Sequence, residues 1–279
     1  MNRLSQIKQD LLVAAIVEGT SIRGAARIAD ITKNSAIRNL NWIGAACQTY
    51  HDKHVRNLKC FHIEADEMWS YIHAKDRNLP LDLIGSKEHG DMWNWIGIDA
   101  ESKLVISWHV GKKETSDAKT FATDLASRLP GKVQISTDQL MHYRPAFEEA
   151  FGTRAAYGTI SKKFGNVKMS PDGKYEQPKL KKMRQYAVMG NPIPDAISTH
   201  CIERYNLSVR QSTRRFSRAT LAFSRKIKNK RAAVALYFTY FNFCRIHPVI
   251  RVTPAMDAGL ADHPWEIREI VALVADVTK

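Results

Sequence analysis

The feature that most constrains the fold is the order of secondary structure that the sequence predicts between residues 59 and 157. Apolar and polar residues alternate from Phe61 to Ala65, which is typical of a strand, and further strands are predicted at 92–98 and 104–110. A helix at about 116–129, a strand at 132–137, a helix at about 145–151 and a strand near 153–157 follow. This order predicts an α/β domain with one mixed sheet flanked by helices.

Three strands followed by helix, strand, helix and strand is the order of an RNase H-like domain. Asp66 lies in or at the end of the first predicted strand, and Asp138 comes just after the fourth. These two strands lie side by side in that topology, so we expect the two carboxylates to lie close together. An Asp at a strand end is most often a turn cap, but two adjacent carboxylates repel each other unless a cation lies between them. Hard oxygen ligands suit Mg²⁺ or Mn²⁺, and a pair of such ions can clamp the oxygens of a phosphoryl transfer.

The first 48 residues predict a small all-α unit. Apolar residues recur at helical spacing from Leu4 to Ile16, and Gly19 is expected to end the first helix. Ser21 and Thr32 are predicted to cap a second and a third helix.

The third helix has the pattern of a DNA-reading helix. It is expected to bury Ala36, Ile37, Leu40 and Ile43, which turns Lys33, Asn34 and Arg38 outward near its N-terminal end. A helix-turn-helix contacts base edges with this end of its recognition helix, and Arg and Asn can pair with guanine and adenine. A small helical interaction domain is the alternative interpretation.

The remaining domain limits follow from changes in pattern. Residues 49–58 lose the helical periodicity and are predicted to be a linker between the helix-turn-helix domain at 1–48 and a catalytic domain at 59–260. Residues 161–195 carry eight Lys or Arg with Pro and Gly, which predicts a long mobile insertion that lies on DNA or is simply solvated. A C-terminal helix is predicted within 261–279.

The segment after this insertion is strongly basic. Between Arg204 and Met256 there are twelve Lys or Arg and no acid. Glu203 is the one acid close to it and is the predicted third carboxylate, although a lone Glu at a helix start often only favours the helix dipole. Glu67, Glu64 and Asp195 are rival acids. The predicted DNA contacts here are Arg204, Asn206, Arg210, Arg214, Arg215 and Arg218.

Overall charge agrees with a polyanionic partner. The chain has 42 Lys and Arg against 28 Asp and Glu, a net charge of +14. It has no run of 18 apolar residues and no apolar signal-peptide core at its start, so we expect a cytoplasmic protein without membrane contact. Cys47, Cys60, Cys201 and Cys244 show no C-x-x-C spacing, which argues against a zinc ribbon and a disulfide framework.

Several motifs together resemble transposases of the IS-one type, a group of bacterial insertion-sequence enzymes. The resemblance covers about residues 59–256. Its motifs are Asp66-Glu67-Met68-Trp69-Ser70-Tyr71, Ser136-Thr137-Asp138 with Tyr143, Ile202-Glu203-Arg204-x-Asn206-x-x-x-Arg210, Tyr240-Phe241-Asn242-Phe243-x-Arg245-x-His247, and Thr253-Pro254-Ala255. The chain departs from the family where Gln139, instead of Gly, follows Asp138.

The resemblance implies a DDE transposase with Asp66, Asp138 and Glu203 as its catalytic triad. One metal ion on Asp66 and Asp138 would activate water or the freed 3′-hydroxyl, and a second on Asp66 and Glu203 would stabilise the leaving oxygen. The expected cofactors are two Mg²⁺ or Mn²⁺ ions, with no small-molecule cofactor. The expected partner is double-stranded DNA, as element ends and target, bound by a nucleoid-associated homo-oligomer. An RNase H-like nuclease or resolvase, and a non-catalytic DNA-binding regulator, are the alternatives.

Overall fold

The centre of the molecule is a six-stranded mixed sheet in the order β3-β2-β1-β4-β5-β8. The structure is a computed structural model that describes residues 4–166, 168–169, 172, 175–176, 178–217 and 220–277. The strands are β1 (His62–Ile72), β2 (Gly90–Asp99), β3 (Val105–Gly111), β4 (Val133–Thr137), β5 (Ala155–Phe164), β6 (Lys168–Met169), β7 (Tyr175–Glu176) and β8 (Leu180–Met189). The two-residue strands β6 and β7 pair with each other in a separate small sheet.

Nine helices are found in the described ranges. They are α1 (Gln6–Val17), α2 (Ile22–Ile28), α3 (Lys33–His54), α4 (Thr115–Arg128), α5 (Tyr143–Phe151), α6 (His200–Ser212), α7 (Ile227–Thr239), α8 (Pro254–Asp257) and α9 (Ile267–Val277). A π-helical turn, Tyr240–Cys244, continues α7.

Strand β1 lies in the interior of the sheet, between β2 and β4. It pairs antiparallel with β2 and parallel with β4, while β4 pairs parallel with β5. The five strands and two helices predicted between residues 59 and 157 are all present. A mixed sheet of this order, flanked by helices, fits the predicted RNase H-like α/β fold.

Each face of the sheet has its own helical layer. Odd-numbered residues of β1, such as Ile63 and Ala65, pack in the cluster that contains Phe121 of α4 and Phe147 of α5. Met68, an even-numbered residue, packs in the cluster of α6 and α7. Neighbouring residues of β1 therefore face different layers, which decides where each of its acids points.

The prediction of a long mobile insertion at 161–195 is wrong in the part that the structure describes, because that part contains paired strands. Strand β5 continues to Phe164, and β8 pairs antiparallel with it as the sixth strand of the sheet. Eight consecutive residues of β8, from Leu180 to Ala187, are exposed, so no alternation of buried apolar residues marked this strand in the sequence.

The N-terminal helices have the predicted caps. The Ser21 hydroxyl accepts a hydrogen bond from the Gly24 N–H, and the Thr32 hydroxyl accepts one from the Ser35 N–H. These bonds satisfy donors that the first turn of a helix leaves without partners.

The linker predicted at 49–58 is wrong over most of its length, because α3 continues to His54. Val55 and Leu58 are then buried in the core of the α4–α5 layer. The buried Arg128 guanidinium at the end of α4 donates to the carbonyls of His51 and Val55. The helical spacing of apolar residues is lost here because the chain packs against α7 and α9 up to about Cys47 and then against α4 and α5.

Helix α3 also packs along α7 and α9. Leu40 and Ile43 share a hydrophobic cluster with Leu236 of α7 and Ile270 of α9. At Gly44 an added Cβ would lie 2.4 Å from the Ala232 carbonyl oxygen, so this helix crossing requires a glycine. The core of the N-terminal helices is therefore partly made by the C-terminal half of the chain.

The sequence predicted no membrane-spanning helix and no disulfide framework. Within the described ranges, no helix combines the length and apolar character needed to cross a membrane. All four cysteines are free thiols.

Candidate metal and DNA site

Three carboxylates meet where β1 passes the end of β4. Glu64 of β1 pairs with Ser136 of β4, so Asp66 lies level with Asp138. One oxygen each of Asp66, Glu67 and Asp138 lie within 4.8 Å of one another. The structure thus brings Asp66 and Asp138 together, as the strand order predicted.

Asp66 faces the α6 layer. Its Oδ2 accepts a hydrogen bond of 2.7 Å from the Asn206 side-chain amide. Burial raises the pKa of Asp66 to about 7, and the charges of Glu67 and Asp138 act in the same direction. The surroundings therefore disfavour the ionised form of Asp66, and a bound cation would favour it.

Asp138 lies on the exposed turn after β4. Its Oδ1 accepts a hydrogen bond of 3.0 Å from the Leu140 N–H, which fixes the turn. Gln139 lies inside the turn that this hydrogen bond closes. Neither Asp66 nor Asp138 has an ion-pair partner in the described part of the chain.

Glu67 faces the α4–α5 layer and is buried. Its carboxylate is 2.8 Å from the Lys113 Nζ and accepts a 3.2 Å hydrogen bond from the Tyr143 hydroxyl. Burial raises the pKa of Glu67, as does Asp138, while Lys113 opposes the rise. The sequence analysis named Glu67 as a rival to Glu203 for the third carboxylate, and the structure brings Glu67 to Asp66 and Asp138.

Glu203 lies outside this carboxylate group. It is in the first turn of α6, where its Oε1 is 2.5 Å from the Lys162 Nζ and 2.7 Å from the Thr199 hydroxyl. Its side chain is 51% exposed. Asn206, one turn further along α6, is the residue that reaches Asp66.

The other rival acids are also outside the group. Glu64 is buried and accepts a 2.9 Å hydrogen bond from the Ile202 N–H at the start of α6. It lies near His200 and Cys201 in a separate cluster. Asp195 lies in the short turn Pro194–Ala196.

Five of the predicted DNA-contacting residues line one groove. Lys33, Asn34 and Arg38 of α3 are exposed and border a groove of about 970 Å³ together with Arg214 and Arg215. Of the described residues that line it, eight are Lys or Arg and none is Asp or Glu; the eight are Arg23, Lys33, Arg38, Arg214, Arg215, Arg225, Lys226 and Lys228.

The other predicted contacts differ in accessibility. Arg204 is exposed, whereas Asn206 is buried against Asp66 and Arg210 is half-buried. Arg215 donates to the Ser224 hydroxyl, and burial lowers its pKa. Arg218 lies outside the described residues. Lys230, one of the basic residues of this segment, is fully buried and cannot contact DNA in this structure.

No family model and no curated protein matches the chain. Among solved structures, it is similar to the Mos1 strand transfer complex, at 11% identity and a TM-score of 0.24, over 56% of this chain and 59% of that one. It is also similar to the Mos1 transposase paired-end complex with left transposon end, at 12% identity and a TM-score of 0.21, over 53% and 58%. The chain therefore spans about three-fifths of the length of these structures.

Proposed function

We propose that this protein is a metal-dependent enzyme that cuts DNA, and more specifically a DDE transposase that cuts insertion-sequence ends and joins the 3′-hydroxyl to target DNA. The observation that carries the proposal is the convergence of Asp66, Glu67 and Asp138 within 4.8 Å. The basic groove supplies the surface that a DNA substrate needs.

The donor set fits a hard divalent cation. Carboxylate oxygens are the ligands that Mg²⁺ and Mn²⁺ prefer, and burial together with the charges of Glu67 and Asp138 raises the pKa of Asp66. Asp66 and Asp138 would hold the ions. When bound, the ions stabilise charge on the phosphoryl oxygens and lower the pKa of water or a 3′-hydroxyl.

The protein's own residues orient these ligands. The Asn206 amide holds one oxygen of Asp66, and the Leu140 N–H holds one oxygen of Asp138. Lys113 and Tyr143 hold Glu67 against the α4–α5 layer. Such orienting contacts reduce the reorganisation needed when substrate binds.

Helix-turn-helix recognition by residues 1–48 is part of the proposal. Lys33, Asn34 and Arg38 are exposed at the N-terminal end of α3, where such a helix reads bases. Assembly of a homo-oligomer on the element ends is the arrangement that this function would require.

A cleavage assay tests the proposal. Linear duplexes carrying the DNA that flanks the gene are incubated with Mg²⁺ or Mn²⁺, and nicked and joined products are separated on a gel. We expect Asp66→Asn and Asp138→Asn to reduce nicking by about 10³-fold or more, because ion-mediated charge stabilisation is worth several kcal/mol. Asp82→Asn is the matched control, because Asp82 is an exposed acid on a turn that precedes β2.

Each outcome of this assay selects one function. Metal-dependent nicking with joined product supports a transposase, while nicking without joining supports the nuclease or resolvase. Specific DNA binding with no cutting in either metal supports the regulator and contradicts the proposal.

The same assay identifies the third ligand. If Glu203 completes the site, as the family resemblance implies, its carboxylate has to leave Lys162, and Glu203→Gln abolishes nicking. If Glu67 does so from its present position, Glu67→Gln is the inactive variant and Glu203→Gln cuts near the parent rate.

A further inference from the structure

Two tryptophans lie beside the carboxylates on the α4–α5 side of the sheet. Trp69 of β1 pairs with Trp93 of β2 across the antiparallel ladder. Trp69 follows Glu67 by two residues and so lies on the same face, roughly 7 Å further along the strand. Strand β4 ends at Thr137, so β1 has passed beyond its parallel neighbour here.

Both indoles are half-buried, unlike the neighbouring tryptophan of the same sheet. Trp95 is fully buried beneath α4 and α5, and its ring N–H donates to the Lys112 carbonyl. Trp69 and Trp93 keep part of their surface open to solvent. Packing of the core accounts for Trp95 but leaves the open surface of the other two without a role.

Ammonium groups alternate with these rings. The Lys113 Nζ is 4.2 Å from the centroid of the Trp93 ring and 2.8 Å from Glu67. The Lys75 Nζ is 5.3 Å from the centroid of the Trp69 ring. These four side chains form a row that begins beside the carboxylate group and extends away from it, in the order Lys113, Trp93, Trp69 and Lys75.

Aromatic faces interleaved with cations are suited to a nucleic-acid strand. A base stacks on an indole whatever its sequence, and ammonium groups pair with the adjoining phosphates. Only an unpaired base offers this face, because the bases of a duplex are already stacked on one another. The position next to Glu67 places such a base close to the bond that the carboxylates would act on.

We propose that Trp69 and Trp93 form a stacking site for an unpaired nucleotide of the DNA strand, next to the bond that is cut. The site rests on the proposed function for its DNA substrate. Lys113 and Lys75 bind the phosphates on either side of this nucleotide.

The probe is a short duplex with a three-nucleotide unpaired end that contains 2-aminopurine, compared with the same duplex fully paired. Binding and fluorescence are measured without divalent metal, so no cutting occurs. We expect the parent to bind the unpaired end about tenfold to hundredfold more tightly and to quench its fluorescence, because stacking on one aromatic ring gives an effect of about this size.

Variants separate stacking from packing. Trp69→Leu and Trp93→Leu keep apolar bulk and should lose both the preference and the quenching, while Trp69→Phe and Trp93→Phe should recover part of both. Phe61 is an aromatic residue that is 44% exposed and lies just before the opposite end of β1. Phe61→Leu should change neither the binding preference nor the quenching. Thermal unfolding confirms that each variant is folded.

The stacking site is overturned if the parent shows no preference for the unpaired end, or if the Leu variants keep the preference and the quenching. If the parent stacks the probe but cuts no DNA with Mg²⁺ or Mn²⁺, the stacking site stands and the proposed function is wrong. If the parent cuts DNA but the Leu variants match it in both the preference and the quenching, the proposed function stands and the stacking site is wrong.

Discussion

Lys230 shows how a single residue can depart from its sequence pattern. It stands in a segment that carries twelve Lys or Arg and no acid, yet it is fully buried. Its ammonium lies 3.4 Å from the centroid of the Phe216 ring, and its hydrogen bond to the Arg215 carbonyl is long at 3.3 Å. Burial lowers the pKa of Lys230 well below its usual value, and the charge of Arg215 lowers it further.

This shift predicts a pH-dependent stability. Below its usual pKa of about 10.5 the unfolded Lys230 binds a proton, while the folded one has released it once the pH exceeds the lowered folded pKa. Stability therefore rises with pH between these two values, by about 1.4 kcal/mol per pH unit. Lys230→Met should remove this part of the slope, as measured by urea unfolding at several pH values. An unchanged slope would mean that Lys230 is charged in the fold.

At the scale of elements, the end of α3 depends on one buried arginine. The Arg128 guanidinium contacts both carboxylate oxygens of Asp124 and lies 2.5 Å from Asp52. With the carbonyls of His51 and Val55, these contacts hold the segment that the sequence predicted to be a linker. Burial alone would raise the pKa of Asp52, but the nearby His51 ring and the hydrogen bond from Arg128 hold that pKa well below its usual range.

Arg128→Met should therefore lower the free energy of unfolding by about 3–5 kcal/mol, because it leaves buried acceptors and a carboxylate without their partner. Arg144→Met is the control, since Arg144 is exposed and pairs with Glu148 one turn away on α5. That change should cost less than about 1 kcal/mol. Equal losses in both variants, measured by denaturant unfolding, would show that Arg128 does not hold α3 in place.

Sequence patterns succeeded where one face of an element is buried and failed elsewhere. Strands β1 to β5 and the approach of Asp66 to Asp138 follow from alternation and strand order. Strand β8 has no buried face to mark it, and the contact between Glu203 and Lys162 joins residues whose rotamers depend on the whole fold. The position of Glu67 is likewise set by Lys113 and Tyr143, which strand periodicity does not encode.

On the scale of the whole molecule, the N-terminal helices and the segment around the start of α7 meet at the basic groove. Arg225, Lys226 and Lys228 are exposed cations of this groove at the start of α7. Changing all three to Gln should weaken DNA binding and reduce the salt dependence by about 0.9 in log–log slope for each phosphate that is no longer bound. The matched control changes Lys53, Lys59 and Lys132 to Gln, because these are exposed cations outside the groove. An affinity that is insensitive to salt would contradict a phosphate-binding groove.

If Asp66 and Asp138 hold divalent metal ions, both carboxylates have to contribute to Mn²⁺ affinity, which electron paramagnetic resonance measures without any DNA present. We predict that the parent and Asp82→Asn bind Mn²⁺ alike. We also predict that Asp66→Asn and Asp138→Asn each weaken binding by more than about tenfold, since even residues that only orient metal ligands contribute factors of about 10–100. Mn²⁺ affinity in both variants equal to that of the parent would contradict a metal site at these two residues.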